Sequence, residues 1–270
     1  MKYVITGSLG HISKPLTIAL LKAGHEVAVI TSNAARTKEI EALGATALVG
    51  SVTDTAFLSK AFAGAGAVYT MVPPNYAATD FKGYIGQVGQ HYADAIRANP
   101  SIKYVVNLSS VGAHLPSGVG PVSGLYRAEQ ALNAVPGIHI KHLRPSYFYY
   151  NLYSMIPIIK HMDIIGSNFS VAPGKFPLVD PTDIATVAAQ ELLQLNFTGQ
   201  SFRYIASDET DTASIAATLG KAIGKPALQW VQFTDEQALG GMLQAGLPED
   251  IAKNYVEMGQ AIQSGSMFED

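Results

Sequence analysis

Residues 1–24 read MKYVITGSLGHISKPLTIALLKAG, and this stretch decides the fold. The short apolar run at residues 3–5 is typical of a β-strand, and Gly7 and Gly10 end it. From His11 the chain shows the apolar spacing of a helix, which stops at Gly24. The sequence therefore predicts a strand, a glycine turn and a helix in immediate succession.

The glycine turn has the spacing Gly-x-x-Gly-x-x-Ser. Gly7 can take the positive φ of a tight turn, and Gly10 lets the backbone approach a diphosphate without a Cβ in the way. The helix that follows offers free N–H groups and a positive dipole end to that anion. Ser13 stands where a third glycine would allow close packing of helix on strand, a mild departure because serine is small. A glycine pair can be only a turn, but its strand-helix-strand context favours a dinucleotide site.

Composition bounds the remaining choices. With 270 residues the chain can form one large domain, or a nucleotide-binding domain with a smaller appendage. Hydrophobic residues make up 48% and charged residues 14%, which is typical of a globular protein rather than a disordered one. The net charge of −3, without a long run of Lys or Arg, predicts no nucleic-acid partner.

No apolar run reaches the length of about 18 residues that a bilayer span needs, so we expect no membrane partner. The chain enters its first strand directly and lacks the pattern of a signal peptide, which makes the cytoplasm the expected location. The sequence has no cysteine, and this excludes disulfides, thiolate catalysis and cysteine metal sites. We expect no metal site.

The end of the second predicted strand, HEVAVIT at residues 25–31, bears on cofactor choice. NAD-preferring folds place an Asp or Glu there for the adenosine ribose, whereas this chain has Ser32 and Asn33, followed by Arg36 and Lys38. A missing carboxylate and a nearby guanidinium favour a 2′-phosphate, and hence NADP(H) over NAD(H). In the alternative interpretation, Arg36 and Lys38 only form the solvated face of the next helix.

Further strands are predicted at residues 46–50, 67–72, 103–108 and 138–143. In an open parallel sheet the carboxyl ends of the strands face the ligand crevice. Residues at two of these ends are therefore expected to flank the cofactor: Met71, Val72, Pro73, Leu108, Ser109 and Ser110. The serines can hydrogen-bond a nicotinamide ribose or a substrate carbonyl, or they can simply cap a strand end.

Residues 147–153, YFYYNLY, hold four tyrosines and one phenylalanine. Such a cluster can line a flat apolar substrate pocket over a nicotinamide, or it can be packing between the nucleotide domain and an appendage. We predict a dinucleotide-binding domain at residues 1–150. A smaller substrate-binding α/β part follows at 151–270, with the chain returning to the core at about 176–205. In that return, Thr182 or Asp183 is expected to cap a helix at 184–193.

Five segments, taken together and in this order, carry a resemblance to a known family: VITGSLGHIS (4–13), GSVTD (50–54), NLSSVG (107–112), HLRPSYFYYN (142–151) and FPLVDPTDIATVAAQEL (176–192). Together they resemble the NmrA-like branch of the extended or atypical short-chain dehydrogenases/reductases. That group contains NADPH quinone reductases, triphenylmethane-dye reductases and redox-sensing regulators. The resemblance covers nearly the whole chain and implies an α/β fold with a doubly wound parallel sheet (Rossmann).

The resemblance also implies site residues. It places nucleotide contacts at Gly7, Ser8, Leu9, Gly10, His11 and Ile12, selection for NADPH near Ser32, Asn33 and Arg36, and nicotinamide neighbours at Val72, Pro73, Ser109, Pro145 and Phe148. The family often has Arg where Ser32 stands, which leaves Arg36 as the main phosphate partner.

A second departure concerns the proton donor. The wider superfamily uses Tyr-x-x-x-Lys, but here Tyr126 is followed four residues on by Gln130. A tyrosine of ordinary pKa without a cationic helper is a poor acid at neutral pH. Tyr126, Tyr147 and Tyr150 are therefore only fallback donors.

These features predict an NAD(P)H-dependent reductase of a small-molecule substrate. Hydride would pass to a flat electrophile such as a quinone, a dye or a conjugated carbonyl, with solvent as the proton source. The alternative is a non-catalytic NADP(H)-binding redox sensor that signals to a partner protein. A sugar-nucleotide epimerase is disfavoured by the missing Tyr/Lys pair. A homodimer and a regulatory protein partner are both left open.

Overall fold

The computed structural model describes residues 1–269 and is built on strands that alternate with helices. The first six strands along the chain are β1 (Lys2–Ile5), β2 (Glu26–Thr31), β3 (Thr46–Val49), β4 (Ala67–Thr70), β5 (Tyr104–Leu108) and β6 (His139–Pro145). The later strands are β7 (Tyr147–Phe148), β8 (Ile165–Ser167), β9 (Phe176–Val179), β10 (Gln200–Ile205), β11 (Asp208–Thr210) and β12 (Trp230–Gln232).

The α-helices are α1 (Ser13–Lys22), α2 (Thr37–Ala42), α3 (Thr55–Ala61), α4 (Phe81–Arg97), α5 (Val122–Asn133), α6 (Ile156–Met162), α7 (Pro181–Gln194), α8 (Thr212–Ala222), α9 (Asp235–Gln244) and α10 (Glu249–Ser264). Short 3₁₀ helices lie at Ala34–Arg36, Tyr149–Met155 and Ser266–Phe268. Among residues 1–269, no helix combines the length and the apolar character that crossing a bilayer requires.

Seven strands form one parallel sheet in the order β10-β6-β5-β4-β1-β2-β3. The chain moves outward from β1 to β3 on one side and from β4 to β6 on the other. The order therefore reverses between β1 and β4, which is the position where open α/β sheets bind ligands. The predicted doubly wound Rossmann-like fold is confirmed. Two small sheets, β11-β9-β7 and β12-β8, belong to the second half of the chain.

Both faces of the central strands are buried, which explains their nearly continuous apolar sequences. Side chains alternate along β1, so Ile5 packs under α1 and α7 with Leu16 and Leu192, whereas Val4 packs under α3, α4 and α5 with Phe62. These side chains are fully buried. The two layers hold the strand ends, and therefore the turn after β1, in fixed positions.

The second half of the chain returns to this sheet. It supplies α7, which packs beside α1, and β10, which pairs in parallel with β6. The predicted start of α7 was wrong: Asp180 is the cap, accepting a 2.7 Å hydrogen bond from the amide of Thr182, and the helix begins at Pro181. Proline is favoured at the first helical position, because its missing N–H would have no partner there. The division of the chain at residue 150 stays a prediction.

A network of buried polar side chains links β4, β5 and β6. Thr70 Oγ1 donates to Asn107 Oδ1 at 2.9 Å, and the Asn107 amide group lies 3.1 Å from His142 Nδ1. His142 Nε2 is 3.0 Å from Asn133 Oδ1, which places the ring proton on Nε2. Burial lowers the pKa of His142 to about 4, so the ring is neutral at neutral pH.

Candidate functional site

The predicted cofactor residues lie along one edge of the large sheet. The glycine turn follows β1, Ser32 follows β2, Met71 follows β4 and Ser109 follows β5, while Pro145 ends β6. Because these five strands are neighbours in the order β6-β5-β4-β1-β2 and run in parallel, their carboxyl ends meet at the same edge. The structure therefore brings these residues to one crevice, although their contact with a cofactor stays a prediction.

The first glycine of the turn is required by the protein itself. Gly7 has a φ of +89°, and a Cβ added there would lie 2.5 Å from Ser13 Oγ and 3.0 Å from Met71 Cγ. Ser13 Oγ donates a 2.8 Å hydrogen bond to the carbonyl of Thr6, which fastens α1 to the end of β1. Ser8 also has a positive φ, of 54°, which the sequence did not indicate.

The second glycine has a different surrounding. Gly10 is exposed, and of the described atoms a Cβ added to it would approach only the Gly7 carbonyl oxygen, at 3.2 Å. A side chain at Gly10 would therefore project into the open space above the turn. That space is where the predicted diphosphate would lie.

The N-terminus of α1 opens onto the same space. Ile12 is the N-cap residue and makes no side-chain capping hydrogen bond. Among residues 1–269, no acceptor serves the amides of His11 and Ile12. Free amides at the positive end of a helix dipole are the groups that bind phosphate in proteins. The turn therefore fits the diphosphate of a dinucleotide.

Ser109 gives an independent indication of a ligand. Its amide donates to the Leu143 carbonyl at 2.7 Å, but its Oγ is buried and has no hydrogen-bond partner among the described residues. Leaving a buried hydroxyl unpaired costs about 1–3 kcal/mol. A carboxamide or ribose hydroxyl in the crevice would remove that cost, so the residues present fit a nicotinamide nucleotide.

Met71 forms a fixed wall beside the turn. Its amide donates to Thr6 Oγ1 at 2.9 Å, and its carbonyl accepts a 2.7 Å bond from the hydroxyl of Tyr92. The neighbouring candidates Val72, Pro73, Leu108 and Ser110 are half-buried. At the end of β6, the Pro145 carbonyl accepts a 2.9 Å bond from the amide of Val111, and Phe148 packs against the apolar layer under α1.

The residues predicted to select the cofactor lie at the end of β2. Ser32 is exposed, and the Asn33 side chain accepts a 2.9 Å bond from the Ala35 amide, so Asn33 caps the 3₁₀ helix Ala34–Arg36. The sequence did not indicate this capping role of Asn33, because the helix that it caps is only three residues long. Arg36 ends this turn and is exposed to solvent.

Two further charged residues near the end of β2, Lys14 and Glu39, were not among the site residues predicted from the sequence. Lys14 Nζ lies 2.9 Å from Glu39 Oε1, and Arg36 Nη1 lies 3.8 Å from Glu39 Oε2. The hydrogen bond from Lys14, followed by the charges of Lys14 and Arg36, lowers the pKa of Glu39. The i,i+3 spacing of Arg36 and Glu39 was visible in the sequence, but the contact of Lys14 depends on how α1 and α2 are arranged.

A cavity of about 930 Å³ lies next to the glycine turn. His11 is on one wall, and the aromatic segment faces it with Tyr149, Tyr150 and Tyr153. The centre of the Tyr150 ring is 4.7 Å from that of His11 and 5.3 Å from that of Tyr153. Ile156 and Ile159 of α6 extend the apolar wall. The cavity has the size and lining of a small-molecule site.

The three candidate proton donors lie in different surroundings. Tyr126 is half-buried on α5, and the neighbouring Arg127 packs its side chain toward Gly86 of α4. The ring of Tyr147 packs 5.0 Å from that of Phe176, and burial raises its pKa to about 12. Tyr150 is the one of the three that lines the cavity. Among residues 1–269, none of the three rings has a cation over it, although Lys160 and Lys225 line the same cavity as Tyr150.

Comparison with known proteins gives relatives across the whole chain. The NAD(P)H azoreductase of Xenophilus azovorans is 25% identical over 257 residues, covering 94% of this chain and 85% of that protein. An NADPH-dependent quinone oxidoreductase from Escherichia coli, solved with NADPH, has a TM-score of 0.84 at 20% identity and covers 99% of this chain and 91% of its own.

NmrA, a negative transcriptional regulator solved with NADP, has a TM-score of 0.70 at 15% identity, covering 97% of this chain and 81% of that one. At these identities the structural likenesses show the fold. The family is shown by sequence, because the model of the NmrA-like family matches residues 2–269. The chain therefore belongs to the NmrA-like family, as the five sequence segments had indicated.

Proposed function

We propose that this protein is an NAD(P)H-dependent reductase that transfers hydride to a flat electrophile such as a quinone or a conjugated carbonyl. The observation that carries the proposal is the open turn at Gly10 in front of the uncapped helix α1. The azoreductase and quinone oxidoreductase among its relatives support a general reductase role. Neighbours solved with NADPH or NADP support a nicotinamide cofactor.

The chain's own residues would bind and orient that cofactor. The amides of His11 and Ile12 would hold the diphosphate, and Gly10 leaves room for it. The Ser109 Oγ, which has no partner among the described residues, would hydrogen-bond the nicotinamide or its ribose, with the hydrogen-bonded backbone of Met71 nearby. A bound reduced nicotinamide would supply the hydride.

The aromatic cavity would receive the electrophile. Tyr150 and Tyr153 would present ring faces and edges to a flat molecule, and Ile156 and Ile159 of α6 would add aliphatic contacts. A reduced quinone is a stabilised phenolate, so its reduction tolerates protonation by solvent. This chemistry suits a site in which Tyr126 lacks a lysine four residues on.

A redox sensor is the second candidate. The same missing pair favours it, because Gln130 stands where a catalytic lysine would be and is exposed to solvent. The NADP-bound transcriptional regulator among the structural neighbours supports this candidate. A sensor would bind the reduced nucleotide without oxidising it.

We expect purified protein to bind NADPH in calorimetry and to oxidise it when a quinone is added. Absorbance of the reduced nicotinamide would be followed with a panel of benzoquinones, naphthoquinones and conjugated carbonyls. Each acceptor is also mixed with NADPH alone, which measures uncatalysed oxidation. Tight binding without turnover of any acceptor would support the sensor, and no binding of NADPH or NADH would contradict both candidates.

Preference for NADP(H) is part of the same proposal. Arg36→Ala should weaken NADPH binding by about tenfold, because a charge-assisted hydrogen bond to the 2′-phosphate is lost, and it should leave NADH binding nearly unchanged. Titration calorimetry with both nucleotides measures this difference. Arg97→Ala is the control, since Arg97 ends α4 and lies at the other edge of the sheet. An equal effect of Arg36→Ala on both nucleotides would assign Arg36 to the solvated surface.

A further inference from the structure

The adenosine end of the crevice holds a carboxylate that the end of β2 lacks. Ser32 and Asn33 occupy the positions where an acidic residue would accept the ribose hydroxyls of NAD(H). Glu39, in the first turn of α2, lies close by in the structure because Arg36, at the end of the short turn after β2, contacts it. A carboxylate is thus present at this end of the crevice, on α2 rather than at the end of β2.

Glu39 also contacts two of the three cations of this region, Lys14 and Arg36, the third being the exposed Lys38 of α2. Its Oε1 accepts from Lys14 Nζ at 2.9 Å, and its Oε2 lies 3.8 Å from Arg36 Nη1. Lys14 belongs to the first turn of α1, directly after the diphosphate turn, and Arg36 follows β2. One carboxylate therefore stands between two cations that come from the two sides of the predicted 2′-phosphate position.

We infer that Glu39 sets the cofactor specificity of this protein, with opposite effects on the two nucleotides. Its carboxylate accepts a ribose hydroxyl of NADH, and it competes with the 2′-phosphate of NADPH for Lys14 and Arg36. The inference rests on the proposed function, since it requires a dinucleotide bound with its diphosphate at Gly10. It makes the chain a protein that takes both nucleotides rather than one that excludes NADH.

The exposure of these groups determines the size of the effect. The side chains of Lys14, Arg36 and Glu39 are 42%, 45% and 48% exposed, so solvent weakens both ion pairs. A phosphate carries more charge than a carboxylate and forms stronger bonds with the same cations. The 2′-phosphate can therefore displace Glu39, and the carboxylate tunes the affinity for NADPH without preventing binding.

The test is to measure the dissociation constants of NADPH and NADH for the wild type and for Glu39→Gln. Removing the charge should tighten NADPH binding by about threefold to tenfold and weaken NADH binding by about twofold to fivefold. Glu41→Gln is the matched control: Glu41 is exposed on the same helix α2, and its replacement changes the net charge equally. Glu41→Gln should change both affinities by the same small factor.

A second variant tests the cations. Lys14→Gln should weaken NADPH binding by about fivefold and change the affinity for NADH by less than about twofold, because only the 2′-phosphate loses a partner. A ratio of NADPH to NADH affinity that is the same in the wild type, Glu39→Gln and Glu41→Gln would overturn the inference and leave the proposed function intact. If the wild type binds neither nucleotide, the proposed function itself fails.

Discussion

Gly10→Val should abolish NADPH binding, with a loss of at least about 100-fold in affinity, while the protein stays folded. The side chain would fill the space in front of the amides of His11 and Ile12, where the diphosphate is predicted to lie. Each lost hydrogen bond to a charged group is worth about 1.5–3 kcal/mol, and losing two of them exceeds 100-fold. NADH binding should be weakened to the same extent, because both nucleotides contain the same diphosphate.

The protein should tolerate this change because of what surrounds Gly10. The residue does not have a positive φ, and within residues 1–269 an added Cβ would closely approach only the Gly7 carbonyl oxygen, at 3.2 Å. Gly7 is the opposite case, since its φ of +89° and the nearby Ser13 Oγ leave no room for a side chain. Gly7→Ala should therefore lower the free energy of unfolding by about 1–3 kcal/mol.

Calorimetry with NADPH and NADH measures the binding loss, and urea unfolding measures stability for the same samples. Gly240→Val is the matched control: Gly240 lies in α9, and an added Cβ there meets nothing within 4 Å. This control should bind both nucleotides normally. If Gly10→Val binds NADPH as the wild type does, the diphosphate does not lie at this turn, and the reductase and sensor proposals lose their common basis.

The sequence predicts the large sheet well because its signals are local. The apolar runs of β1 and β2 and the glycine turn between β1 and α1 are each contained within a few residues, and the structure has them where they were expected. The start of α7 shows the limit of such reasoning. In Asp180-Pro181-Thr182-Asp183 three side chains could cap a helix, and the preference of proline for the first helical position decides among them.

Fewer features of the candidate site than of the sheet can be predicted from the sequence, because the site depends on contacts between elements that are distant in the sequence. Lys14 and Glu39 are 25 residues apart and meet only through the packing of α1 and α2 against neighbouring strands. The unpaired Ser109 Oγ is likewise visible only once burial is known. The aromatic segment was identified from composition, but its contact between Tyr150 and His11 requires the second half of the chain to lie over the glycine turn.

The second large effect concerns stability and arises from a buried ion pair. Arg144 Nε donates to Glu129 Oε1 at 3.1 Å and Nη2 to Oε2 at 2.8 Å, and their side chains are only 8% and 2% exposed. Glu129→Met should lower the free energy of unfolding by about 3–5 kcal/mol, because it removes the carboxylate that accepts two hydrogen bonds from the buried Arg144 guanidinium. Urea unfolding of the variant and the wild type at the same pH measures this loss.

The double variant Glu129→Met with Arg144→Met separates this explanation from simple loss of packing. Removing both charges leaves neither member of this pair buried without the other, so the double variant should be within about 2 kcal/mol of the wild type, less destabilised than Glu129→Met alone. Additive losses would instead show that the two side chains stabilise the protein independently.

The pair joins α5 to the end of β6, immediately before Pro145, so Glu129→Met should also weaken NADPH binding if that strand end forms the nicotinamide wall. Recovery of NADPH affinity in the double variant would then tie the position of Pro145 to the charge balance of this pair rather than to either side chain alone.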